Sequence, residues 1–243
     1  NLTYRIGVLM DPIDSIKPKK DSTLAMMLAA QARGWHVSVF TQADLYIEDG
    51  EVFVLVSDVT LFDGADRWFD VLDHRTAKAA EFDCVLMRKD PPFDMEYIYA
   101  TYILDLAKTD SNLVINEPSA IRNLNEKVSI TMFPSLTPST LVSSDHDDLE
   151  NFLNQEKKIV VKPLDGMGGR SVFIVDKGGQ NTNTIFEEIT KNFTRTIMAQ
   201  KYVPEIKDGD KRIHLVFGKD AGMVLARVPS VDDHRGNLVM GAK

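Results

Sequence analysis

The sequence has almost no cysteine and no long apolar run. Its single cysteine, Cys84, excludes a disulfide framework within the 243 residues, which is typical of proteins in a reducing cytosol. No apolar stretch approaches the roughly 20 residues that span a membrane. The first residues also lack the basic start and small-residue cleavage site of a secretory signal. We therefore expect a cytoplasmic protein with no membrane partner.

An excess of basic residues is also missing. Lysine and arginine together number 28 against 36 aspartates and glutamates, which gives a net charge of −8. A nucleic-acid-binding protein normally carries a basic face, so we expect no nucleic-acid partner. The composition is otherwise that of an ordinary globular protein, and the length allows one large domain or two smaller ones.

The first half alternates strands and helices. Residues 4–10 predict a strand that ends at Asp11-Pro12, residues 23–33 a helix that Asp21 and Ser22 can cap, and residues 37–40 a second strand. A buried strand at 82–87, a helix at 96–108 and a strand at 113–116 follow. This order predicts a parallel α/β sheet with ligands at the carboxyl ends of its strands.

The pattern changes after Asn125. A helix is expected from Asn125 to about Met132, then strands, two helices (145–155 and 184–192) and a hairpin, which is a mixed α+β pattern. We therefore predict an α/β protein with a parallel N-terminal domain at 1–124 and an α+β domain after it. We divide the second domain into residues 125–204 and residues 205–243, with a polar loop over 229–243.

The stretch VVKPLDGMGGRSVF, residues 160–173, places a lysine and three glycines between two strands. The glycine amides can bind an anion in a concave nest, and glycine also allows a movable flap. Lys162 at the end of the first strand could face that anion. The alternatives are a flexible turn and a strand-end lysine with its ammonium group in water.

Three other segments carry candidate chemistry. The strand end MRKDPPFD (87–94) delivers Arg-Lys-Asp to the edge of the predicted sheet, where Asp11 also lies. The segment MAQKYVP (198–204) can offer backbone groups to the edge of an adenine. The run IKDGDKR (206–212), with Arg227 and Arg235, could bind phosphate or carboxylate. For the charged segments the alternative is a solvated surface.

Taken in order, these segments resemble the ATP-grasp superfamily and, within it, the bacterial-type glutathione synthetases. The resemblance covers essentially the whole chain and is carried by VLMDPID (8–14), VLMRKDPPFDMEYIYATYIL (85–104), NEK (125–127), KPLDGMGGRSVF (162–173), MAQKYVPEIKDGDKR (198–212) and LARVPSVDDHRGNL (225–238). It implies an enzyme that joins γ-glutamylcysteine to glycine with ATP and Mg²⁺ through an acyl phosphate. It also implies a homo-oligomer, which is a tetramer in bacterial members.

The resemblance assigns roles to individual positions. The nucleotide-binding residues it implies are Lys127, Lys162, Gly166, Met167, Gly168, Gly169, Gln200, Lys201, Tyr202, Val203 and Asp210. The catalytic residues it implies are Arg212, Arg227, Arg235 and Asn237. The residues on the side of the peptide substrate are Met10, Asp11, Arg88, Lys89 and Asp90.

The magnesium ligands of the family lie in a later segment, so we expect them beyond residue 243 in a longer protein and assign none here. Three alternatives stay open. The chain could be another ATP-grasp carboxylate-amine ligase, a nucleotide-binding fragment without activity, or an α/β ligand-binding protein that takes no nucleotide.

Overall fold

The computed structural model describes residues 3–167 and 171–228. The chain divides into two compact units, Asn1–Leu124 and Asn125–Lys243, and each is described by itself. Among the described residues, none of the helices is long and apolar enough to cross a membrane.

The first unit is built on a seven-stranded sheet with helices on both faces. Strands β1, β2, β6 and β7 are parallel, and β3, β4 and β5 extend the sheet antiparallel, in the order β3-β4-β2-β1-β6-β7 with β5 paired to β4. The strands are β1 Arg5–Leu9, β2 His36–Phe40, β3 Leu45–Glu48, β4 Glu51–Leu61, β5 Phe69–Lys78, β6 Cys84–Met87 and β7 Leu113–Ile115. The helices are α1 Ser22–Ala32, α2 Met95–Leu106 and α3 Pro118–Asn123, with 3-10 turns at Ile13–Ser15, Pro18–Lys20, Gln42–Asp44 and Ala79–Glu81.

Strand alternation places the core of this unit on both faces of the sheet. Ile6 and Val8 of β1 pack with Leu24 and Met27 of α1, whereas Leu9 belongs to a second cluster that includes Leu104 of α2. The parallel sheet expected from the strand-helix-strand pattern is confirmed by the β1–β2 and β1–β6 pairings. The carboxyl ends of β1 and β6 are therefore neighbours.

The second unit contains a four-stranded antiparallel sheet and a separate hairpin. The sheet order is β10-β9-β11-β8, and β12 pairs with β13. The strands are β8 Thr140–Ser143, β9 Lys158–Pro163, β10 Phe173–Asp176, β11 Ile197–Lys201, β12 Asp210–Val216 and β13 Lys219–Arg227. The helices are α4 His146–Glu156 and α5 Thr182–Thr190, with 3-10 turns at Val128–Met132, Pro134–Leu136 and Pro204–Asp208.

One face of this sheet carries α4 and α5. Ile159 and Val161 of β9 pack with Leu149 of α4 and Phe186 of α5, so alternate residues of β9 point to the opposite face. The hairpin across the glycine loop is confirmed, because β9 and β10 pair antiparallel from Val161–Phe173 to Lys158–Asp176. In the β12–β13 hairpin, by contrast, residues 211–226 are exposed on both faces.

The structure differs from the sequence expectation at three elements. Strand β3 was not expected, and neither was β5, whose exposed sequence DVLDHRT shows no apolar face. The helix expected from Asn125 is a 3-10 helix that begins only at Val128. The Asn125 side chain accepts hydrogen bonds from the backbone N–H groups of Lys127 (3.0 Å) and Val128 (3.0 Å), which favours a turn over an α-helical start.

Candidate active site

The first group of candidate residues lies at the carboxyl ends of β1 and β6. Lys89 Nζ is 2.9 Å from Asp11 Oδ1, and the backbone N–H of Asp90 donates to Asp11 Oδ2 at 3.1 Å. The parallel pairing of β1 and β6 brings together residues that are almost 80 positions apart in the sequence. Both signs of charge therefore meet at this sheet edge.

Arg88 connects this edge to the first turn of α1. Its Nε donates to Thr23 Oγ1 at 3.0 Å and its Nη2 to Ser22 Oγ at 3.1 Å. Asp21 caps the same helix by accepting from the backbone N–H of Leu24 at 2.7 Å. The guanidinium group is thus held beside the positive end of a helix, an arrangement that favours a bound anion.

Sequence reasoning missed Ser22 and Thr23 as site residues. Two hydroxyl residues directly after a helix cap were the available signal. Met10 lies in the same place, but its side chain is buried in the core with α1. Only its backbone can therefore contribute to a site, and its N–H already donates to Phe40 O at 3.0 Å.

The carboxylates of this edge are not fully neutralised. Burial raises the pKa of Asp90, and the neighbouring Asp11 and Asp21 raise it further. Burial, followed by the charge of Asp90, also raises the pKa of Tyr97, whose hydroxyl donates to Lys89 O at 3.1 Å. A ligand cation would relieve this repulsion, so the acidic half of the cluster suits an ammonium group.

In the second unit, Lys162 stands on the face of the sheet that α4 and α5 leave open. It lies opposite Met198 of β11, and Val160 of the same strand lies opposite Gln200. Burial lowers the pKa of Lys162, the nearby Lys127 ammonium lowers it further, and the Glu126 carboxylate opposes both. Within the described residues Lys162 forms no ion pair with a carboxylate, so this cation is held without a counter-ion.

Lys127 meets the start of the glycine loop. Its Nζ donates to Gly166 O at 2.7 Å and to Glu126 Oε1 at 2.7 Å. Its influence on the pKa of Lys162 shows that the two ammonium groups are close enough to repel each other. Lys127 precedes a 3-10 helix and is not on a strand, whereas Lys162 is on β9.

The loop is anchored at its base by three contacts. Asn125 Nδ2 donates to Leu164 O at 3.1 Å, Arg195 forms an ion pair with Asp165, and Lys127 binds Gly166 O. Met167 is the last residue described on this side, and its side chain is exposed. Gly168 and Gly169 lie outside the described residues. Neither Asn125 nor Arg195 was assigned a role from the sequence, because their partners are 30 or more positions away.

The exit of β11 carries the predicted adenine segment. Gln200 is buried and its Nε2 donates to Thr140 Oγ1 at 2.9 Å. The side chain of Lys201 points to the helix-covered face and reaches Glu156 of α4 at 3.5 Å, so only its backbone can line a site on the open face. Lys158 Nζ lies 4.9 Å from the centre of the Tyr202 ring.

At the exit of β11, successive backbone groups point to alternate sides of the strand, and this leaves two polar backbone groups on the same edge. The N–H of Lys201 donates to Ser139 O at 2.9 Å and that of Tyr202 donates to Lys158 O at 3.0 Å, on opposite sides of the strand. The C=O of Lys201 and the N–H of Val203 therefore face the same side. Val203 N–H forms no backbone hydrogen bond within the described residues.

Two charged residues at the ends of the terminal hairpin pair with each other. Arg227 donates from Nε to Asp210 Oδ1 at 2.6 Å and from Nη2 to Asp210 Oδ2, which is the bidentate geometry typical of an arginine–carboxylate pair. Arg212 is exposed on β12. Arg235 and Asn237 lie outside the described residues.

One group of side chains in the described part of the chain could hold a metal ion. His146, Asp147 and Glu150 place ligand atoms within 4.8 Å of one another on the exposed side of α4. Helix α4 covers the face of the sheet opposite to Lys162. This group is therefore no candidate for a metal ion beside the two lysines.

The comparisons with known proteins first identify the fold. D-cycloserine synthetase DcsG superposes with a TM-score of 0.57 at 13% identity, covering 85% of this chain and 62% of that chain. The ATP-grasp ligase PsnB, in a complex with a phosphomimetic precursor variant, Mg and ADP, superposes with a TM-score of 0.55 at 15% identity, covering 94% of this chain and 73% of that chain. The protein therefore has the fold of the ATP-grasp ligases.

The family follows from the sequence matches. Residues 4–122 match the family described as prokaryotic glutathione synthetase, N-terminal domain, and residues 126–243 match prokaryotic glutathione synthetase, ATP-grasp domain. The glutathione synthetase of Pseudomonas putida KT2440 is 46% identical over 242 residues, which is 100% of this chain and 76% of the relative. That of Escherichia coli O127:H6 is 43% identical over 239 residues, 98% of this chain and 76% of the relative. The chain belongs to the prokaryotic glutathione synthetase family, as the sequence resemblance predicted.

Proposed function

We propose that the protein joins γ-glutamylcysteine to glycine and converts ATP to ADP and phosphate. The observation that carries the proposal is the pair Lys127 and Lys162, two cations held close together at the base of a glycine loop. A half-buried lysine repelled by a second lysine is unfavourable unless an anion of high charge neutralises both. A triphosphate is such an anion, and the family membership supports ATP as its source.

The two groups at the exit of β11 suit the adenine. A backbone acceptor at Lys201 and a backbone donor at Val203 complement the amino group and ring nitrogen of its edge. The side chains of Val160 and Met198 offer an apolar surface on the same face as Lys162. Tyr202, Gln200 and Asp210 complete the proposed nucleotide site, together with residues 166–169 of the loop.

The charged cluster of the first unit suits the γ-glutamyl end of the peptide. That end carries one carboxylate and one ammonium group on the same carbon. We assign the carboxylate to Arg88 at the start of α1, and the ammonium group to Asp90 and Asp11 beside Lys89. Arg88 and the two carboxylates would thus recognise an α-amino acid group by its two opposite charges.

The proposed reaction has two steps. An oxygen of the cysteinyl carboxylate attacks the γ-phosphorus, the bond to the β-phosphate oxygen breaks, and ADP leaves. The glycine amine then attacks the acyl carbon, the bond to the phosphate oxygen breaks, and the amine loses a proton. Arg212 and Arg227, with Arg235 and Asn237, would neutralise the charge that develops on the transferred phosphoryl group and the tetrahedral intermediate.

Magnesium belongs to the proposal as the ion that neutralises phosphate charge when it is bound. The described residues beside Lys162 do not include a carboxylate cluster that could hold it, so we derive no step through the ion. A homo-oligomer, tetrameric as the resemblance implies, and a cytoplasmic location complete the proposal.

The decisive experiment measures ADP release by the full-length protein with ATP, magnesium, γ-glutamylcysteine and glycine. Turnover that requires both γ-glutamylcysteine and glycine supports the proposal, whereas turnover with other acid and amine pairs instead indicates another ligase of the same fold. Nucleotide binding without turnover indicates a binding module. Nucleotide affinity that is unchanged by Lys162→Met would contradict the assignment of the phosphate site itself.

A further inference from the structure

Asn125 forms hydrogen bonds both to the segment that carries Lys127 and to the strand that carries Lys162. Its Oδ1 accepts the backbone N–H groups of Lys127 and Val128, both at 3.0 Å. Its Nδ2 donates to the backbone carbonyl of Leu164 at 3.1 Å, although Leu164 is 39 positions away in the sequence. We call this bond to Leu164 the Asn125 tether. One half-buried side chain therefore connects the two segments that hold the lysine pair.

The turn that follows Asn125 is fixed by Asn125 itself. Besides the two bonds to its side chain, the backbone carbonyl of Asn125 accepts the N–H of Ser129 at 2.9 Å. An asparagine that accepts N–H groups two and three residues later supplies hydrogen bonds that the first turn of a helix lacks. The main chain at Lys127 is therefore held relative to Asn125, and the 3-10 helix Val128–Met132 begins directly after it.

The other end of the Asn125 tether lies on a rigid element. Leu164 directly follows β9, which pairs antiparallel with β10 on one side and with β11 on the other. Lys162 lies opposite Met198 and Pro163 opposite Ile197, so the sheet holds β9 up to the residue before Leu164. The position of the Leu164 carbonyl is therefore coupled to that of Lys162, which is two residues earlier.

The three contacts of the Asn125 side chain match the groups of an asparagine. Its carbonyl oxygen faces two N–H donors and its amide group faces a carbonyl acceptor, so the reversed amide would place like groups together at all three contacts. Aspartate has no donor for the Leu164 carbonyl. Serine has an oxygen that can accept in the same turn, but its side chain is too short to reach Leu164 as well. The tether is therefore specific to the residue type at position 125.

The lysine pair needs such a connection because its members repel each other. Lys127 lowers the pKa of Lys162, so the free energy would fall if the segment of Lys127 moved away. That segment continues as the 3-10 helix Val128–Met132 and, among the described residues, pairs with no strand. The bond from Lys127 Nζ to Gly166 O fixes only the end of a long, flexible side chain. We propose that Asn125 is a positioning residue, whose hydrogen bonds to both segments hold Lys127 at a fixed distance from Lys162.

The consequence for a ligand is a phosphate site that is assembled before the nucleotide arrives. This inference rests on the proposed function in one respect, namely that the lysine pair binds the phosphates. When only a fraction of the molecules has the two lysines together, the apparent affinity falls in proportion to that fraction. One hydrogen bond between neutral groups changes such a population by roughly 2- to 10-fold. Loss of the Asn125 tether should weaken nucleotide binding by about the same factor.

The first test is a double-mutant cycle in the full-length protein, with the affinity for a non-hydrolysable ATP analogue measured by isothermal titration. Asn125→Ser keeps an acceptor in the turn and removes the donor to Leu164. It is expected to weaken binding in the wild-type background and to have no further effect in a Lys127→Met background, because Asn125 acts through Lys127. Asn151→Ser, at an exposed position of α4, is the matched control and should bind the analogue as the wild type does. Equal weakening in both backgrounds would indicate a general structural role and overturn the proposal.

The second test needs no nucleotide. The pKa of Lys162 is measured by following the lysine ε-carbon NMR signals over pH, with Lys162→Met to assign the signal. Because Lys127 lowers this pKa more than Glu126 opposes it, loss of the tether in Asn125→Ser should raise the pKa toward its ordinary value. A circular dichroism melt of each variant confirms that it is folded.

The two tests separate this inference from the proposed function. If Lys162→Met leaves the affinity for the analogue unchanged, the assignment of the phosphate site fails, and the titration of Lys162 still decides whether Asn125 holds the two lysines together. A Lys162 pKa that is the same in Asn125→Ser and in the wild type would overturn the positioning role, whatever the nucleotide affinities are.

Discussion

Replacing Lys162 by methionine tests separately how much the ammonium group destabilises the fold and how much it contributes to nucleotide binding. Methionine keeps most of the side-chain stem and removes the ammonium group. In the folded protein that group is partly buried, is repelled by Lys127 and forms no ion pair with the described carboxylates. We therefore expect Lys162→Met to unfold at a higher urea concentration than the wild-type chain at neutral pH, while its nucleotide affinity falls.

The pH dependence follows from the direction of the shift. The pKa of Lys162 is lowered in the folded state from its ordinary 10.5, so the folded protein binds fewer protons than the unfolded chain between these two values. The stability penalty is fully present below the folded pKa and declines as the pH rises from it toward 10.5. The stability advantage of Lys162→Met should shrink over the same interval.

The expected loss of nucleotide binding can be estimated from one contact. A hydrogen bond to a charged group contributes roughly 1.5–3 kcal/mol, which corresponds to an affinity that is about 10- to 150-fold weaker. Isothermal titration with a non-hydrolysable ATP analogue measures it, and Lys177→Met, an exposed lysine of the same unit, controls for the loss of one charge. A variant that is less stable than wild type at every pH, yet binds the analogue as tightly, would refute this reasoning.

Four further predictions test other parts of the structure. Asp165→Asn removes the ion pair with Arg195 and should speed proteolysis near the glycine loop. The free energy of unfolding should change by less than about 1 kcal/mol, and the control is Glu188→Gln, which removes the exposed ion pair with Lys191. Asp21→Ala removes the cap of α1 and should cost about 1 kcal/mol in urea unfolding, whereas Asp66→Ala on an exposed turn should cost almost nothing. Burial alone would raise the pKa of Asp58, but hydrogen bonds from Arg75 and Ser38 lower it below 3.8. The stability that the Asp58 carboxylate contributes is present above pH 3.8 and is lost as the pH falls through the folded pKa. In Asp58→Asn the free energy of unfolding should therefore depend less steeply on pH in this range. Amide hydrogens of the β12–β13 hairpin should exchange faster than those of β9 and β11, and equal protection would contradict the exposed, two-stranded arrangement.

The sequence was sufficient to predict elements with a strong apolar pattern. Helix α1 follows its apolar face, strands β1, β2 and β6 follow their continuous apolar runs, and Asp21 marks the beginning of α1 by capping. Strand β5 could not be predicted in this way, because β4 supplies its hydrogen bonds while its side chains stay exposed. The pairing of β5 with β4 depends on tertiary structure, which the local sequence composition does not indicate.

The same distinction applies to the candidate site. The meeting of Asp11 with Lys89 follows from a general property of parallel sheets, whose strand ends share one edge. The contacts of Arg88 with the first turn of α1, and of Arg195 with Asp165, depend on how distant segments pack. These contacts could not be inferred from the sequence, because the number and type of residues between two partners do not indicate how far apart the partners lie in the folded protein.

The two units differ in how they hold charge before a ligand arrives. At the edge of β1 and β6, Lys89 is already paired with Asp11 and Arg88 is held by two hydroxyls, so a ligand must exchange existing contacts for new ones. On β9, Lys162 has no such contact to give up within the described residues, and its repulsion from Lys127 is only opposed by the Glu126 carboxylate. Binding of an anion at Lys162 therefore gains the full interaction and removes a pre-existing penalty, whereas binding at the charged edge gains only a difference. If the proposed function is correct, the nucleotide should consequently bind this protein more tightly than the γ-glutamyl group does.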